Sequence, residues 1–140
     1  VGSEMCIRDR SRAEQLGISG QVDFLRFVKD MPSFFCSIDI FLMPSRFEGF
    51  GYVMAEAMAS LRPVVTFDVK SSAEIVEHGA TGYITGPDGI EEMTARVQEL
   101  ARNKELRQQM GEKGRARVEE KFSFEKNYRQ VLALMNPHPD

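Results

Sequence analysis

Cysteine, histidine and long apolar runs are all scarce in this chain, and each scarcity removes a class of function. Cys6 and Cys36 are the only cysteines in 140 residues, too few for a disulfide framework. Neither they nor the isolated His78 and His138 stand at metal-ligand spacing. No run approaches the roughly 20 apolar residues that a membrane helix needs. The charged stretch from Glu4 to Arg12 has no apolar core of the kind a signal peptide carries. Eighteen Lys and Arg against 21 Asp and Glu leave a net charge of −3, so the broad positive field that nucleic acid requires is missing. Six basic residues do lie between Arg102 and Arg117, but Glu105 and Glu112 interleave with them. That reads as a solvated helix face. Cys36, in the apolar stretch Phe34 to Ile40, reads as a small buried side chain. A reducing, cytoplasmic setting fits best.

What remains is ordinary globular composition, 42% hydrophobic and 28% charged, with length for about one domain and one core. The opening VGSEMCIRDR (residues 1–10) has neither strand nor helix periodicity and looks unlike the rest. It is similar to a translated adapter scar and is read as a foreign leader, with residues 11–140 forming an incomplete domain.

From Val22 onward, strand and helix signals alternate. Val22 to Val28 is a β-type run, and Met31 to Cys36 a brief helix that tolerates Pro32 in its first turn. Ile38 to Pro44 and Pro63 to Phe67 read as buried parallel strands. Gly51 to Ser60 reads as a helix. Ser71-x-x-Glu74 has the form of a capping box, Thr81 to Thr85 is a last short strand, and Asp88-x-x-Glu91 offers another cap. Ile90 to Ala101 and Leu106 to Val118 then carry helical periods. Ser123 is placed to cap a final helix with Phe124, Tyr128, Val131, Leu132 and Met135. The fold class is α/β, a partial Rossmann-like parallel sheet followed by a helical tail.

Chemistry concentrates in SRFEGFGYVMAEAMAS, Ser45 to Ser60, which begins where a strand ends, the place where open parallel sheets hold ligands. Gly49 and Gly51 flank a turn into a helix whose first amides, near Tyr52, suit a phosphate. Such turns are common for purely structural reasons. Glu56 is the only charged residue from Gly49 to Leu61; on an apolar helix it must face water or hydrogen-bond donors. Glu48 is open to the same two readings.

The composite PSRFEGFGYVMAEAMA, with Glu48 and Glu56 as E-x7-E, resembles the retaining, nucleotide-sugar-dependent glycosyltransferases of the GT-B fold (glycosyltransferase family 4, or group 1). IDIFLMPS, PVVTFD, AEIVEHGATGYI and MGEKGRARVEEKFSFE extend the likeness over roughly Val22 to Leu134. The resemblance implies the second half of the C-terminal, donor-binding domain. It implies that Glu48 contacts donor-sugar hydroxyls beside the reacting bond, and that the backbone of Gly49, Phe50 and Gly51 touches the sugar. It implies that the amides of Tyr52 and Val53 face the diphosphate, and that Glu56 takes the ribose hydroxyls. The co-substrate is then a nucleotide sugar, with no cofactor; the absence of any D-x-D fits a fold that binds its donor without metal. The acceptor, whether saccharide, lipid or small molecule, would be chosen by an N-terminal domain missing here, which would also decide any peripheral membrane contact. The fragment alone is expected to be inactive.

Three departures from the family pattern stand out. Arg26 follows an F-L pair where glycine is usual, Ser71-Ser72 replaces a common Gly-Gly, and Leu61 replaces a frequent glycine at a helix end. Leu61 implies either a different helix exit or about 1 kcal/mol of strain. The upstream Arg and Lys that grip the diphosphate in the family have no counterpart in Arg10, Arg12 or Lys29. A non-catalytic nucleotide- or sugar-binding module and a GT-B nucleotide-sugar epimerase are the alternative readings.

Overall fold

In the computed structural model, which describes residues 4–123, 125, 128 and 129, the chain divides into two units, Val1–Met31 and Pro32–Asp140. The first holds helix α1 (Glu4–Gln15) and a 3-10 turn at Ser19–Gln21. Residues 4–10 are thus helical despite lacking an apolar period. Their Glu, Met and Arg content supplies intrinsic helix preference where amphipathicity does not. Gly17, at φ 67°, ends α1: its N–H donates to the Glu14 carbonyl and that of Ile18 to Ala13. This is the paired Schellman closure.

Val22 to Val28 forms no strand. Its Leu25 and Phe27 are 60% and 80% exposed. β-preference is realised only against a partner, and the sheet has three strands of which this run is none.

The second unit alternates as its sequence does. Helix α2 (Met31–Ser37), strand β1 (Phe41–Met43), helix α3 (Tyr52–Ala59), strand β2 (Val64–Phe67), helix α4 (Ser72–Ile75), strand β3 (Gly82–Thr85) and helices α5 (Ile90–Arg102) and α6 (Lys104–Lys121) follow in order. The strands pair in parallel as β1-β2-β3, with Phe41 opposite Val64 and Val64 opposite Gly82. Every residue of central β2 is buried, as a strand covered on both faces should be. β1 is shorter than its apolar run and leaves Leu42 exposed, because it has a neighbour on one side only. In α2, Phe35 turns inward at 1% exposure and Cys36, a step of about 100° around the helix, is exposed rather than buried. Val65, Phe67, Tyr83, Met93, Leu100 and Met110 form one core cluster. Burial, with Glu99 adding to it, pushes the Tyr83 phenol above its ordinary value.

The side-chain caps expected at Ser71 and Asp88 both fail. Ser71 sits in the α region (φ −96°, ψ −9°) and its hydroxyl caps nothing. Ser72 is used instead: its Oγ donates to the Phe67 carbonyl (2.7 Å) and accepts from the Val69 N–H (3.2 Å). Asp88 caps nothing because its carboxylate pairs with Arg46 at 2.9 Å; Gly89 stands at the α5 N-terminus without a side-chain bond. At α6 the cap is Asn103, whose side chain accepts from the Leu106 N–H at 3.0 Å.

The basic stretch is also more than a solvated face. Arg107 donates to the Leu100 and Ala101 carbonyls at the end of α5 (2.6 and 3.0 Å). Arg117 donates to the Ile75 and Glu74 carbonyls (2.8 and 3.1 Å) and meets Glu77. Each thereby satisfies the orphan carbonyls of a helix end. The final helix expected beyond Ser123 falls largely outside the described residues, with Phe124, Val131, Leu132 and Met135 among those not described.

Helix α3 leaves by the route glycine normally permits. Leu61 has φ 62°, the only positive value at a non-glycine among the described residues. Its N–H donates to Met58 (3.0 Å) and that of Arg62 to Ala57 (2.9 Å), the same closure that Gly17 gives α1. Of the two readings of Leu61, the structure takes the strained one: a leucine in the left-handed conformation. Leu61→Gly is therefore expected to raise stability by about 1 kcal/mol and the thermal midpoint by roughly 3–6 °C. A lowered midpoint in calorimetry would contradict the strain.

Candidate functional site

Residues 44–51 carry the chain from the carboxyl end of β1 to the start of α3. Gly51 makes the entry, in the left-handed region at φ 77° and ψ 46°. It is buried, and a Cβ there would displace the Met54 Cε; the left-handed conformation is what demands glycine. Gly49 has no such demand and opens onto free space. The Met54 N–H bonds back to the Gly51 carbonyl at 2.9 Å. The Tyr52 and Val53 amides head the helix, where intrahelical acceptors are lacking, at the positive end of its dipole.

Met54, Ala55, Ala57 and Met58 are the buried face of α3. That burial turns Tyr52, Glu56 and Ala59 outward. Glu56, with Phe50, Tyr52, Ala55 and Ala59, lines a groove of about 330 Å³ completed by Val118 and Phe122 of the α6 end. The Phe50 ring lies tilted against Tyr52, 4.7 Å between centroids, and edge-on at 5.7 Å against Phe122. Glu48 is half-buried in the turn and does not line this groove. Among the described residues neither Glu48 nor Glu56 spends its carboxylate on an ion pair; both are left as acceptors for something else. Gly49, Gly51 and Val53 likewise lie outside the groove, in the turn and the first turn of α3.

Ser71, just past the carboxyl end of β2, adds a group that the sequence offers as a cap and as half of the pair in place of Gly-Gly. It is 3% exposed, and its hydroxyl is buried without a hydrogen-bond partner. Nothing in the letters of a serine pair distinguishes the satisfied Ser72 from the unsatisfied Ser71. The exposed Arg46–Asp88 pair ties the loop after β1 to the loop after β3 at this end of the sheet, an interaction worth at most about 1 kcal/mol. No group of acidic, histidine or cysteine side chains placed to hold a metal occurs among the described residues. No helix among them is long and apolar enough to cross a membrane.

Comparison with known proteins bears on the family and the fold. The capsular polysaccharide biosynthesis glycosyltransferase CapM of Staphylococcus aureus is 32% identical over 115 residues, covering 82% of this chain and 30% of that protein. S. aureus TarM, solved with fondaparinux, alpha-GlcNAc-glycerol and UDP, superposes with a TM-score of 0.86 at 28% identity, over 92% of this chain and 26% of its own. The C-terminal domain of a glycosyl transferase group 1 protein from Francisella tularensis shares the fold, with a TM-score of 0.76 at 24% identity over 87% of this chain and 64% of its own. The chain thus spans about a third or less of the full-length proteins CapM and TarM. The family model for glycosyl transferases group 1 matches residues 7–117, and the chain belongs to that family.

Proposed function

We propose that this chain is the donor-binding part of a retaining glycosyltransferase, moving a sugar from a nucleoside diphosphate to an acceptor held by a domain outside these residues. The observation that carries the reading is the pairing of two uncommitted carboxylates, Glu48 and Glu56, with the glycine turn and the exposed head of α3. The UDP bound to TarM supports the nucleotide, and the short coverage of CapM and TarM supports the outside domain.

The two kinds of group divide the donor between them. Carboxylates repel a diphosphate but accept strongly from hydroxyls, and the family resemblance gives the ribose to Glu56 and the sugar to Glu48. Amides and the helix dipole favour the anion, so Tyr52 and Val53 face the diphosphate, with the backbone of Gly49, Phe50 and Gly51 against the sugar. In transfer, the bond from anomeric carbon to diphosphate oxygen breaks and its electrons stay with the diphosphate. The acceptor oxygen bonds the same face of that carbon and passes its proton to the departing diphosphate oxygen. The α3 amides stabilise the charge that accumulates on the leaving group. The reading assigns no metal and no cofactor.

The 140-residue chain is expected to bind UDP but to transfer no sugar by itself. Glu56→Ala should weaken UDP binding about tenfold or more, the loss of charge-assisted hydrogen bonds. Calorimetric titration measures the first and product analysis with a labelled UDP-sugar the second. Unchanged affinity in the variant would remove the ribose role, and a transferred or epimerised sugar would overturn the dependence on a second domain.

A further inference from the structure

At the other end of the sheet, a second cleft lies between the exit of α3 and the start of α6. Leu61, Arg62 and Pro63 form one wall, Asp39 adjoins, and Lys104 and Arg107 with Gln108 form the other. Asp39 precedes β1 and Pro63 precedes β2, so the cleft sits at the amino ends of the strands. The Glu48 turn lies at their carboxyl ends. The two places are also opposite ends of α3, and the cleft is independent of the donor reading.

Its charges are unequally matched. Arg107 is committed, with Nη1 on the α5 carbonyls and Nη2 at 3.5 Å from Asp39. Arg62 is not. Its Nη2 reaches only the Cys36 carbonyl, at a long 3.5 Å, and its Nε is buried with no hydrogen-bond partner. Arg62 as a whole is only part-buried and lines the cleft, so its outer N–H groups, with no carboxylate partner, are open to an anion. Lys104 also has no ion pair among the described residues. It stands in the first turn of α6, the positive end of an 18-residue helix. Glu112 lines the cleft too, on the Arg62 side, but makes no ion pair with Arg62 among the described residues, and eight residues up α6 it is about 12 Å from Lys104 along the axis. The strained Leu61 holds Arg62 at this wall. Backbone strain of that kind persists where surrounding structure enforces it, and often accompanies a binding function.

We propose that this cleft is a second anion site, taking a phosphate group between Arg62 and Lys104, with Gln108 able to donate from the next turn of α6. The ligand is either the free ion or a phosphate monoester; the shared chemistry is a compact dianion.

The test is a titration of the full chain with inorganic phosphate at constant ionic strength, followed by backbone amide shifts, with excess UDP present to occupy the donor site. Saturable shifts over residues 104–108 are expected, weakened at least tenfold in Arg62→Gln. Lys104→Gln, a change at an exposed helix position, gives the same reading should the first variant fail to fold. Glycerol 3-phosphate in a parallel titration separates ester from ion: matching shifts assign an ester, their absence assigns the free ion. Shifts that rise linearly without saturation, that are confined to Tyr52 and Val53, or that survive in the folded variants would overturn the proposal. A failed UDP titration with intact phosphate binding would instead count against the donor reading alone.

Discussion

Gly111→Ala is expected to destabilise the protein by about 3 kcal/mol, while Gly114→Ala, one turn further along α6, is expected to be nearly neutral. A Cβ on Gly111 would overlap the Leu61 carbonyl group and approach its Cα at 3.3 Å. That backbone cannot give way, because the Leu61 and Arg62 N–H groups are both spent closing α3. A Cβ on Gly114 meets only the Met58 side chain, at 3.4 Å and beyond, and methionine is adaptable. The roughly 1 kcal/mol of helix propensity gained by alanine then offsets what repacking costs. Urea denaturation of the two variants checks the contrast. Equal midpoints would mean that α6 does not rest on the α3 exit as closely as the structure has it. A loss of this size is a large share of the 5–15 kcal/mol that holds a domain together.

The other large effect is on chemistry. In the complete transferase of which we propose this chain to be a part, Glu48→Gln should lower kcat about 100-fold, while affinity for the nucleoside diphosphate changes little. The amide keeps the size of the side chain but loses the charged acceptor, so the sugar is held less well beside the reacting bond; misplacement alone can cost about two orders of magnitude. Glu56→Ala should behave oppositely, through affinity. Steady-state kinetics paired with UDP titration separates the two, and a Glu48 variant within threefold of the parent kcat would remove it from the reaction.

Elements whose residues carry a strong local pattern are legible in the sequence. PVVTF supplies central strand β2, Val64–Phe67, because a run of apolar and β-branched residues suits a strand covered on both sides. The span Gly51 to Ser60 was right to within one residue, since Gly51 can take a conformation closed to other residues. Val22 to Val28 misled because its β-preference depends on a partner outside the run. The caps misled for a related reason. Ser71 and Asp88 have the right chemistry at the right spacing, but burial and the guanidinium of Arg46 direct them elsewhere. Cys36 was misplaced because an apolar stretch names no inward face when the helix has only 7 residues.

By itself the sequence determined the class of fold, the order of strand and helix, and the stretch where acidic side chains meet a glycine turn, because these follow from local period and backbone freedom. Only the tertiary structure decided that Arg107 and Arg117 close helix ends, that Leu61 carries the strain of a glycine position, and that Arg62 is left without a counter-charge. Each of those depends on which groups from distant parts of the chain arrive within bonding distance, and no local pattern records that.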